Sequence, residues 1–336
     1  MRPCGRPLAA SGVVALVRAA VPPPTPASPP RLHRPSTVAI GAFDGVHLGH
    51  RELISSCVRD AAARGVRSVV VTFDPDPSEL LSGVRAERRL LSIDDRVALC
   101  RALGVDNVLV LPFVEGLALL GPEEFVRYLT GLLGPLVSVH VGSNFRFGHR
   151  GSGTVRTLVS LGAEHGFSVV AHELLELDGA AVSSTRIRKL LAAGRVREAA
   201  SLLGRHHFVR GTVAHGRGEG ASLGFPTANL CCDGRSCMPA EGVYACVASD
   251  GRSAWPAAAN VGRPPTFSSE RDTAFLEANL LGFSGDLYGR ELAVVFVEWL
   301  RASRPFSSLE ELERVVRGNI DWVREHIGCE RVEVGL

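Results

Sequence analysis

Lysine is almost absent from this chain of 336 residues, in which Lys189 is the only lysine among 37 basic residues. No Gly-Lys-Ser or Gly-Lys-Thr sequence occurs, which excludes the phosphate-binding loop of P-loop proteins. A lysine Schiff base has a single candidate residue. If the protein uses a nucleoside triphosphate, other groups must therefore hold its phosphates.

A strong charge of one sign is also lacking. The 37 basic and 35 acidic residues leave a formal net charge of +2, so no overall field favours nucleic acid or an anionic membrane. The most apolar N-terminal run, from Gly12 to Ala20, is too short to span a membrane and contains Arg18. We therefore expect neither nucleic-acid nor membrane partners, and any anion-binding site is expected to be local.

The eight cysteines include no Cys-x-x-Cys pair and no zinc-ribbon spacing. Three of them, Cys231, Cys232 and Cys237, form a cluster that is either a metal site or a set of idle thiols. We favour idle thiols in a reducing cytoplasm.

Residues 1–36 contain nine of the 20 prolines and no acidic residue. This composition predicts a disordered extension, because runs such as Pro22-Pro23-Pro24 favour extended, unpacked backbone. A transit peptide and a misassigned start codon are the alternatives.

From Thr37 onward, β-branched runs alternate with helical segments, a pattern that predicts an α/β domain over residues 37–204. Its sheet should be parallel, with helices on both faces and ligands at the carboxyl ends of the strands. From Phe208 the sequence pattern changes to short apolar runs separated by Gly, Pro and Asp. This pattern predicts a small barrel or sandwich. A C-terminal helix ending near His326 completes a second domain over residues 205–327.

The first unusual stretch, Gly41-Ala42-Phe43-Asp44-Gly45-Val46-His47-Leu48-Gly49-His50, follows a predicted strand. We expect a helix to begin at about His50, so that His47 and His50 lie beside free helix-start N–H groups where a phosphate binds without lysine. Both imidazoles would stabilise charge that builds on the phosphates. A glycine turn with incidental histidines is the alternative. The predicted ATP contacts here are Gly41, Phe43, Asp44, Gly45 and Gly49.

A hydroxyl cluster, Ser183-Ser184-Thr185, precedes a predicted helix that starts near Thr185. Arg188 lies one turn further along the same face, so hydroxyls and guanidinium would converge on one phosphate chain. An ordinary helix cap with a solvated arginine is the alternative.

The second unusual stretch runs from Arg210 through a glycine-rich loop to Leu223-Gly224-Phe225-Pro226-Thr227-Ala228-Asn229. Main-chain N–H groups of such a loop can wrap phosphates without a lysine, although a plain barrel turn would look similar. The oxygens of Thr227 and Asn229 suit Mg²⁺. The predicted phosphate-binding glycines are Gly216, Gly218, Gly220 and Gly224.

In combination these motifs resemble the bacterial bifunctional riboflavin kinase/FAD synthetase family. The Ser-Ser-Thr-x-x-Arg motif and the Gly142-Ser143-Asn144-Phe145-Arg146-Phe147-Gly148 loop match its nucleotidyltransferase domain. Its kinase domain is matched by Pro-Thr-Ala-Asn, by Gly242-Val243-Tyr244-Ala245, by Asn260-Val261-Gly262 with Pro265-Thr266-Phe267, and by Asp286-Leu287-Tyr288-Gly289. The resemblance covers about residues 37 to 326.

The resemblance implies a nucleotidyltransferase-type doubly wound sheet, followed by an antiparallel β-barrel with a C-terminal helix. It implies phosphorylation of riboflavin to FMN, then adenylylation of FMN to FAD with release of pyrophosphate, in the cytoplasm. Riboflavin, FMN and ATP are the expected partners, with Mg²⁺ as the cofactor. The implied catalytic residues are Glu277 as the base, His47, His50 and Arg188, and the implied flavin-binding residues are Asn144, Phe73 and Asp76.

Several positions depart from the family pattern, including Arg217, Glu219 and Ala221 in the glycine-rich loop. Ala42 stands where the family usually has Asn, and Asp76 stands where it has His. Asn279 replaces the His of a common Glu-x-His sequence that begins here at Glu277. A carboxylate at position 76 is expected to disfavour the dianionic phosphate of FMN. The alternatives to a bifunctional enzyme are a paralogue with one active module or a preference for a flavin analogue, and a catalytically silent flavin- or nucleotide-binding regulator.

Overall fold

The computed structural model describes residues 34–77, 88–215, 225–262 and 275–333, together with Val17. The described chain divides into two compact units between Ser184 and Thr185. The predicted extension over residues 1–36 lies almost entirely outside the described residues. The domain boundary placed near Gly204 from the sequence stays a prediction.

The first unit is built on a five-stranded parallel sheet with the strand order β3-β2-β1-β4-β7. The chain leaves β1 toward β2 and β3 on one side, then returns to β4 and β7 on the other. This reversal puts the carboxyl ends of β1 and β4 at a switch point, where ligands of such sheets bind. The sheet strands are β1 Ser36–Ile40, β2 Arg67–Asp74, β3 Asn107–Pro112, β4 Leu136–Gly142 and β7 Ser168–His172.

Helices cover both faces of this sheet, which confirms the predicted doubly wound architecture. Val38 and Val71 pack with Phe125 and Leu129 on one face, and the helix that follows β1 packs on β1, β2 and β4. The central strands are nearly continuous runs of buried apolar residues, as expected for strands covered on both sides. The helices are α1 Leu48–Arg64, α2 Ile93–Ala102, α3 Glu115–Ala118, α4 Pro122–Leu133 and α5 Val155–His165. Two short hairpins complete the unit, one of β5 Arg146–Phe147 and β6 Gly153–Thr154, the other of β8 Glu176–Leu177 and β9 Ala180–Ala181.

Helix α1 begins at Leu48, two residues earlier than the sequence predicted, and His47 is its N-cap. The predicted helix start lay too far along the chain because histidine is not a usual N-cap residue. Here the ring Nδ1 of His47 accepts a hydrogen bond from the backbone N–H of His50 at 3.4 Å, as a serine or aspartate oxygen otherwise would. The capped helix start therefore coincides with the candidate phosphate site.

The second unit opens with two short helices and continues as an antiparallel barrel. Six strands follow one another in the order β12-β15-β10-β11-β14-β13, and the pairing of β13 with β12 closes the barrel. The elements are α6 Ser184–Ala192, α7 Val196–Leu203, β10 Phe208–Ala214, β11 Ala228–Cys232, β12 Gly242–Ser249, β13 Ser253–Gly262, β14 Phe275–Leu280, β15 Glu291–Arg301, α8 Leu309–His326 and β16 Val332–Glu333. The predicted barrel and C-terminal helix are confirmed.

The two short helices belong with the barrel because they pack tightly on it. Gly194 lies between them, and a Cβ atom there would come within 2.5 Å of Trp299 Cε3. The backbone N–H of Ala240 also donates to Leu191 O at 2.8 Å. Only glycine fits at position 194, which in addition has a φ of +73°.

Candidate active sites

The loop between β1 and α1 is packed down onto the sheet. Phe43 is 1% exposed, and its ring lies so close to Gly41 that a Cβ atom there would be 3.0 Å from Phe43 Cζ. Phe43 and Val46 have positive φ angles of 50° and 40°, which are uncommon for residues other than glycine. Backbone of this kind persists only where surrounding contacts fix it, and it is common at functional sites.

The two histidines of this loop stack on each other. The rings of His47 and His50 are 3.6 Å apart between centroids and inclined by 18°. Because Nδ1 of His47 accepts the hydrogen bond of the helix cap, its proton in the neutral form is on Nε2. Within the described residues, Nδ1 of His50 is buried without a hydrogen-bond partner.

Burial, the neighbouring His47 and the positive charge of Arg96 hold the pKa of His50 well below its usual value. His50 is therefore neutral at physiological pH and presents one N–H donor. A neutral His50 at a helix N-terminus can donate a hydrogen bond to a phosphate oxygen without carrying a charge of its own.

Asp44 forms hydrogen bonds to other parts of the first unit. Its carboxylate is 3% exposed and accepts hydrogen bonds from the backbone N–H groups of Leu90 at 3.0 Å and Leu91 at 3.2 Å. Its backbone oxygen accepts from Ser184 Oγ at 2.7 Å. The predicted contact of Asp44 with ATP stays a prediction, whereas these bonds show that Asp44 fixes the shape of the loop.

The predicted flavin-binding residues follow the carboxyl ends of two strands. Phe73 and Asp76 lie at and beyond the end of β2, and Asn144 lies in the turn after β4, where its side chain is exposed. The backbone N–H of Ser143 donates to His172 O at 2.7 Å, which ties this turn to β7. The structure therefore brings these residues to the same edge of the sheet as the histidine pair.

The hydroxyl and guanidinium of the Ser-Ser-Thr motif lie on α6. Ser184 starts this helix, and Arg188 follows four residues later on the same face. Ser184 Oγ donates a hydrogen bond to Asp44 O, and the helix cap predicted for the hydroxyl cluster stays a prediction. The predicted roles of Ser183, Thr185 and Arg188 stay predictions.

Two buried arginines that the sequence analysis missed lie beneath this region. Arg89 is 8% exposed and pairs with Asp74 at 2.9 Å. Arg96 is 2% exposed and contacts the end of β2 and Asp44 in the loop after β1. Each lies in a helical or loop segment where an arginine looks like an ordinary surface residue, so the sequence carried no signal for them.

The barrel places the candidate kinase residues side by side. The sequence predicted a turn through Asn229, but β11 begins at Ala228, and Asn229 pairs directly with Glu277 of β14. Asn260 of β13 pairs with Glu277 from the other side. Side chains of directly opposed residues share one face of a sheet, so Asn229, Glu277 and Asn260 form a polar row across three strands.

The side-chain oxygens of Asn229 and Asn260 differ in their hydrogen bonding. Asn229 Oδ1 is buried and, among the described residues, has no hydrogen-bond partner. By contrast, Asn260 Oδ1 accepts from Ser303 Oγ at 3.0 Å. A buried unpaired oxygen costs about 1–3 kcal/mol unless something binds it, so the Asn229 oxygen is a candidate ligand for a cation.

A cavity of about 390 Å³ lies between the barrel and α8. Asn279, which departs from the family pattern, donates from Nδ2 to Pro226 O at 2.8 Å and forms part of its wall. The guanidinium of Arg317 lies 5.4 Å from the ring centroid of Phe225. The cavity combines apolar and charged walls and is large enough for a planar heteroaromatic ring. The four predicted phosphate-binding glycines, Gly216, Gly218, Gly220 and Gly224, lie outside the described residues.

Comparison with known families agrees with this two-part construction. The family model for FAD synthetase matches residues 30–186, and the model for riboflavin kinase matches residues 203–327. The chain is thus a two-domain protein that joins an FAD synthetase domain to a riboflavin kinase domain.

Curated relatives carry both domains in one chain. The bifunctional riboflavin kinase/FMN adenylyltransferase of Pseudomonas fluorescens is 41% identical over 290 residues, which cover 86% of this chain and 92% of the relative. The enzyme of the same description from Bacillus subtilis is 34% identical over 281 residues, covering 82% and 88%. This chain belongs to the bifunctional riboflavin kinase/FMN adenylyltransferase family, and the resemblance inferred from its motifs is confirmed.

A solved structure also matches over most of the chain. It is described as a macrolide-efflux protein from Streptococcus pneumoniae, is 30% identical, and covers 88% of this chain and 96% of its own with a TM-score of 0.78. Within the described ranges of the present chain, no helix is both long and apolar enough to cross a membrane.

Proposed function

We propose that this protein phosphorylates riboflavin to FMN with ATP and then transfers an adenylyl group from a second ATP to FMN, giving FAD and pyrophosphate. Membership of the family and the presence of both domains support this function. The observation that carries it in the structure is the pair of separate constellations, one at the switch point of the parallel sheet and one on the barrel.

In adenylyl transfer, a phosphate oxygen of FMN attacks the α-phosphorus of ATP, and the bond from that phosphorus to the bridging oxygen of pyrophosphate breaks. No residue becomes covalently modified. We assign to His47 and His50 the donation of hydrogen bonds to the phosphate oxygens as negative charge builds in the transition state. The N–H groups at the start of α1 would hold the same phosphates, and Arg188 would neutralise the leaving pyrophosphate.

The flavin of FMN is assigned to the edge formed by Phe73, Asp76 and Asn144. Asp76 puts a carboxylate near a substrate phosphate, which is unfavourable by itself. Arg89 pairs with the neighbouring Asp74, so the carboxylate of Asp74 adds no uncompensated negative charge to this segment. Because the charge of Arg89 is compensated by Asp74, we infer that Asp76 weakens FMN binding.

In riboflavin phosphorylation, the 5′-hydroxyl oxygen of riboflavin attacks the γ-phosphorus of ATP and ADP leaves. Glu277 would accept the proton of that hydroxyl. The ring of riboflavin would occupy the cavity beside Phe225 and Arg317. The unpaired, buried Oδ1 of Asn229 fits a hard cation, and with Thr227 it would hold Mg²⁺. When bound, Mg²⁺ would screen the charge of the ATP phosphates. A cytoplasmic location stays a prediction.

The direct test is to incubate the purified chain with riboflavin, ATP and Mg²⁺, and separately with FMN, ATP and Mg²⁺, and to separate the flavins by chromatography. We expect FMN followed by FAD in the first mixture and FAD in the second. FMN alone would indicate one active module and would contradict the assignment of the first unit. No product in either mixture would favour a flavin analogue or a binding role.

A further inference from the structure

Arg96 is a charged side chain in the interior of the first unit. It lies on α2, whose N-cap Ser92 accepts from the N–H of Asp95, and its side chain is 2% exposed. A buried guanidinium is costly unless its N–H groups are paired. Its partners therefore indicate what the residue does.

The partners of Arg96 belong to the two segments that carry the candidate adenylyl-transfer residues. Its Nη1 donates to Thr72 Oγ1 at 3.2 Å and to Phe73 O at 3.1 Å, at the end of β2. Thr72 Oγ1 in turn donates to Ala42 O at 2.9 Å, in the loop after β1. One guanidinium thus connects the flavin-side strand end with the phosphate-side loop.

The positive charge of Arg96 is only partly compensated. The nearest carboxylate is Asp44, whose Oδ1 is 3.9 Å from Arg96 Nη2 and which also accepts the N–H groups of Leu90 and Leu91. Among the described residues, Arg96 Nε has no hydrogen-bond partner. Because charges interact strongly in a buried region, an anion bound above the loop would experience this charge.

We propose that Arg96 is a positioning residue for adenylyl transfer, which holds the loop after β1 against the end of β2 and adds positive potential beneath the phosphate site. The inference rests on the proposed function of the first unit. It requires no contact between Arg96 and substrate. Its contribution is expected in the transition state, where the phosphates carry the most charge.

The test compares three variants for FAD formation from supplied FMN. Arg96→Met removes the positive charge and the N–H donors of the guanidinium. Arg96→Lys keeps the charge but loses the planar set of guanidinium donors. Arg101→Met is the control, an arginine-to-methionine substitution in the last turn of α2. We expect Arg96→Met to lower kcat at least about tenfold while the KM for ATP changes less than about threefold. Arg96→Lys should recover part of this loss, and Arg101→Met should remain within about twofold of the wild type. Riboflavin phosphorylation serves as an internal control and should be unchanged in all three.

The pH profile separates positioning from a general effect on folding. The charged and titratable groups that act on His50 are His47 and Arg96, and both lower its pKa. Removal of Arg96 raises the pKa of His50, so the limb of the kcat–pH profile that follows the titration of His50 should move to higher pH in Arg96→Met and not in Arg96→Lys.

A kcat within about twofold of the wild type in Arg96→Met would overturn the inference. So would a loss of activity that follows a lowered melting temperature, with the same pH profile and no recovery by lysine. A wild-type protein that makes FMN but no FAD would contradict the proposed function and this inference together, and it is recognised before any variant is made.

Discussion

The two candidate sites of this chain differ in how the fold holds them. In the first unit, the loop after β1 is held by Thr72, by the N–H groups of Leu90 and Leu91, and by the stacking of His47 on His50. On the barrel, Asn229 presents a buried oxygen without a partner among the described residues. Among the described residues, the first site likewise keeps one buried unpaired nitrogen, His50 Nδ1, but its loop is cross-linked by buried side chains, whereas the barrel residues are aligned by strand pairing.

The difference follows from the two architectures. A parallel sheet brings several loops to one edge, where they pack against each other and can be cross-linked by buried side chains. In a barrel, alternate side chains of a strand share one face, so strand pairing alone aligns Asn229, Glu277 and Asn260 in a polar row. We expect substitutions in the first site to alter catalysis and those at Asn229 to alter ligand dependence.

The largest effect is expected for Glu277→Gln, which keeps the shape of the side chain and removes the base. Riboflavin phosphorylation should fall by about 10²- to 10⁴-fold, the usual contribution of a general base. FAD formation from supplied FMN should be unchanged. Initial rates of both reactions on the same preparation test this prediction, and equal loss of both activities would contradict the assignment of separate sites.

Substitution of His47 should have the opposite selectivity. His47→Ala removes a proposed donor to the transition state and the cap of α1, so FAD formation should fall at least about a hundredfold. FMN formation should be retained. A variant with His47 replaced that still makes FAD at the wild-type rate would remove the histidine pair from the mechanism.

The stability of the barrel should depend on pH through His207. Burial lowers the pKa of His207 to about 4, despite its hydrogen bond to Cys237 O at 2.8 Å. The unfolded chain binds a proton near pH 6.5 that the folded chain binds only near pH 4, so the free energy of unfolding falls as pH drops through this range. The loss should reach roughly 2–3 kcal/mol at about pH 4.5.

Tryptophan fluorescence is a selective probe for this measurement because Trp255, Trp299 and Trp322, the three tryptophans of the chain, all belong to the barrel unit. Urea unfolding would be compared at neutral and acid pH in the wild type and in His207→Gln, which cannot titrate. The variant should lose less stability on acidification. The same loss in both proteins would show that His207 is not the group responsible.

The smallest effect is expected for Asn229→Leu. The Mg²⁺ concentration for half-maximal kinase rate should rise about tenfold, as for loss of a group that supports a metal. Without ligands the melting temperature should be unchanged or higher, because an unpaired buried oxygen has been removed. Asn260→Leu is the matched control. It should lower the melting temperature, since Asn260 accepts a hydrogen bond from Ser303. A lower melting temperature in Asn229→Leu would contradict the interpretation of its oxygen.

Much of the fold could be predicted because its signals are local. Alternation of β-branched runs with helical segments specifies a parallel sheet, and the histidines, glycines and hydroxyls of the motifs mark strand ends. The start of α1 was misplaced because His47 caps it, and β11 was missed because Pro226 and Gly224 dominate the local pattern. Arg89 and Arg96 could not be found from sequence, since their importance comes from tertiary contacts with segments far apart in the chain.

If the two activities reside in two independent sites, two variants that each lack one activity should complement each other when they are mixed. Glu277→Gln and His47→Ala would each be incubated with riboflavin, ATP and Mg²⁺, alone and together, and the flavins would be separated over time. We predict little FAD from either variant alone and steady FAD formation from the mixture, because one protein supplies FMN and the other adenylylates it. A mixture that forms no more FAD than the separate variants, while wild-type protein forms FAD readily, would contradict the presence of two independent sites.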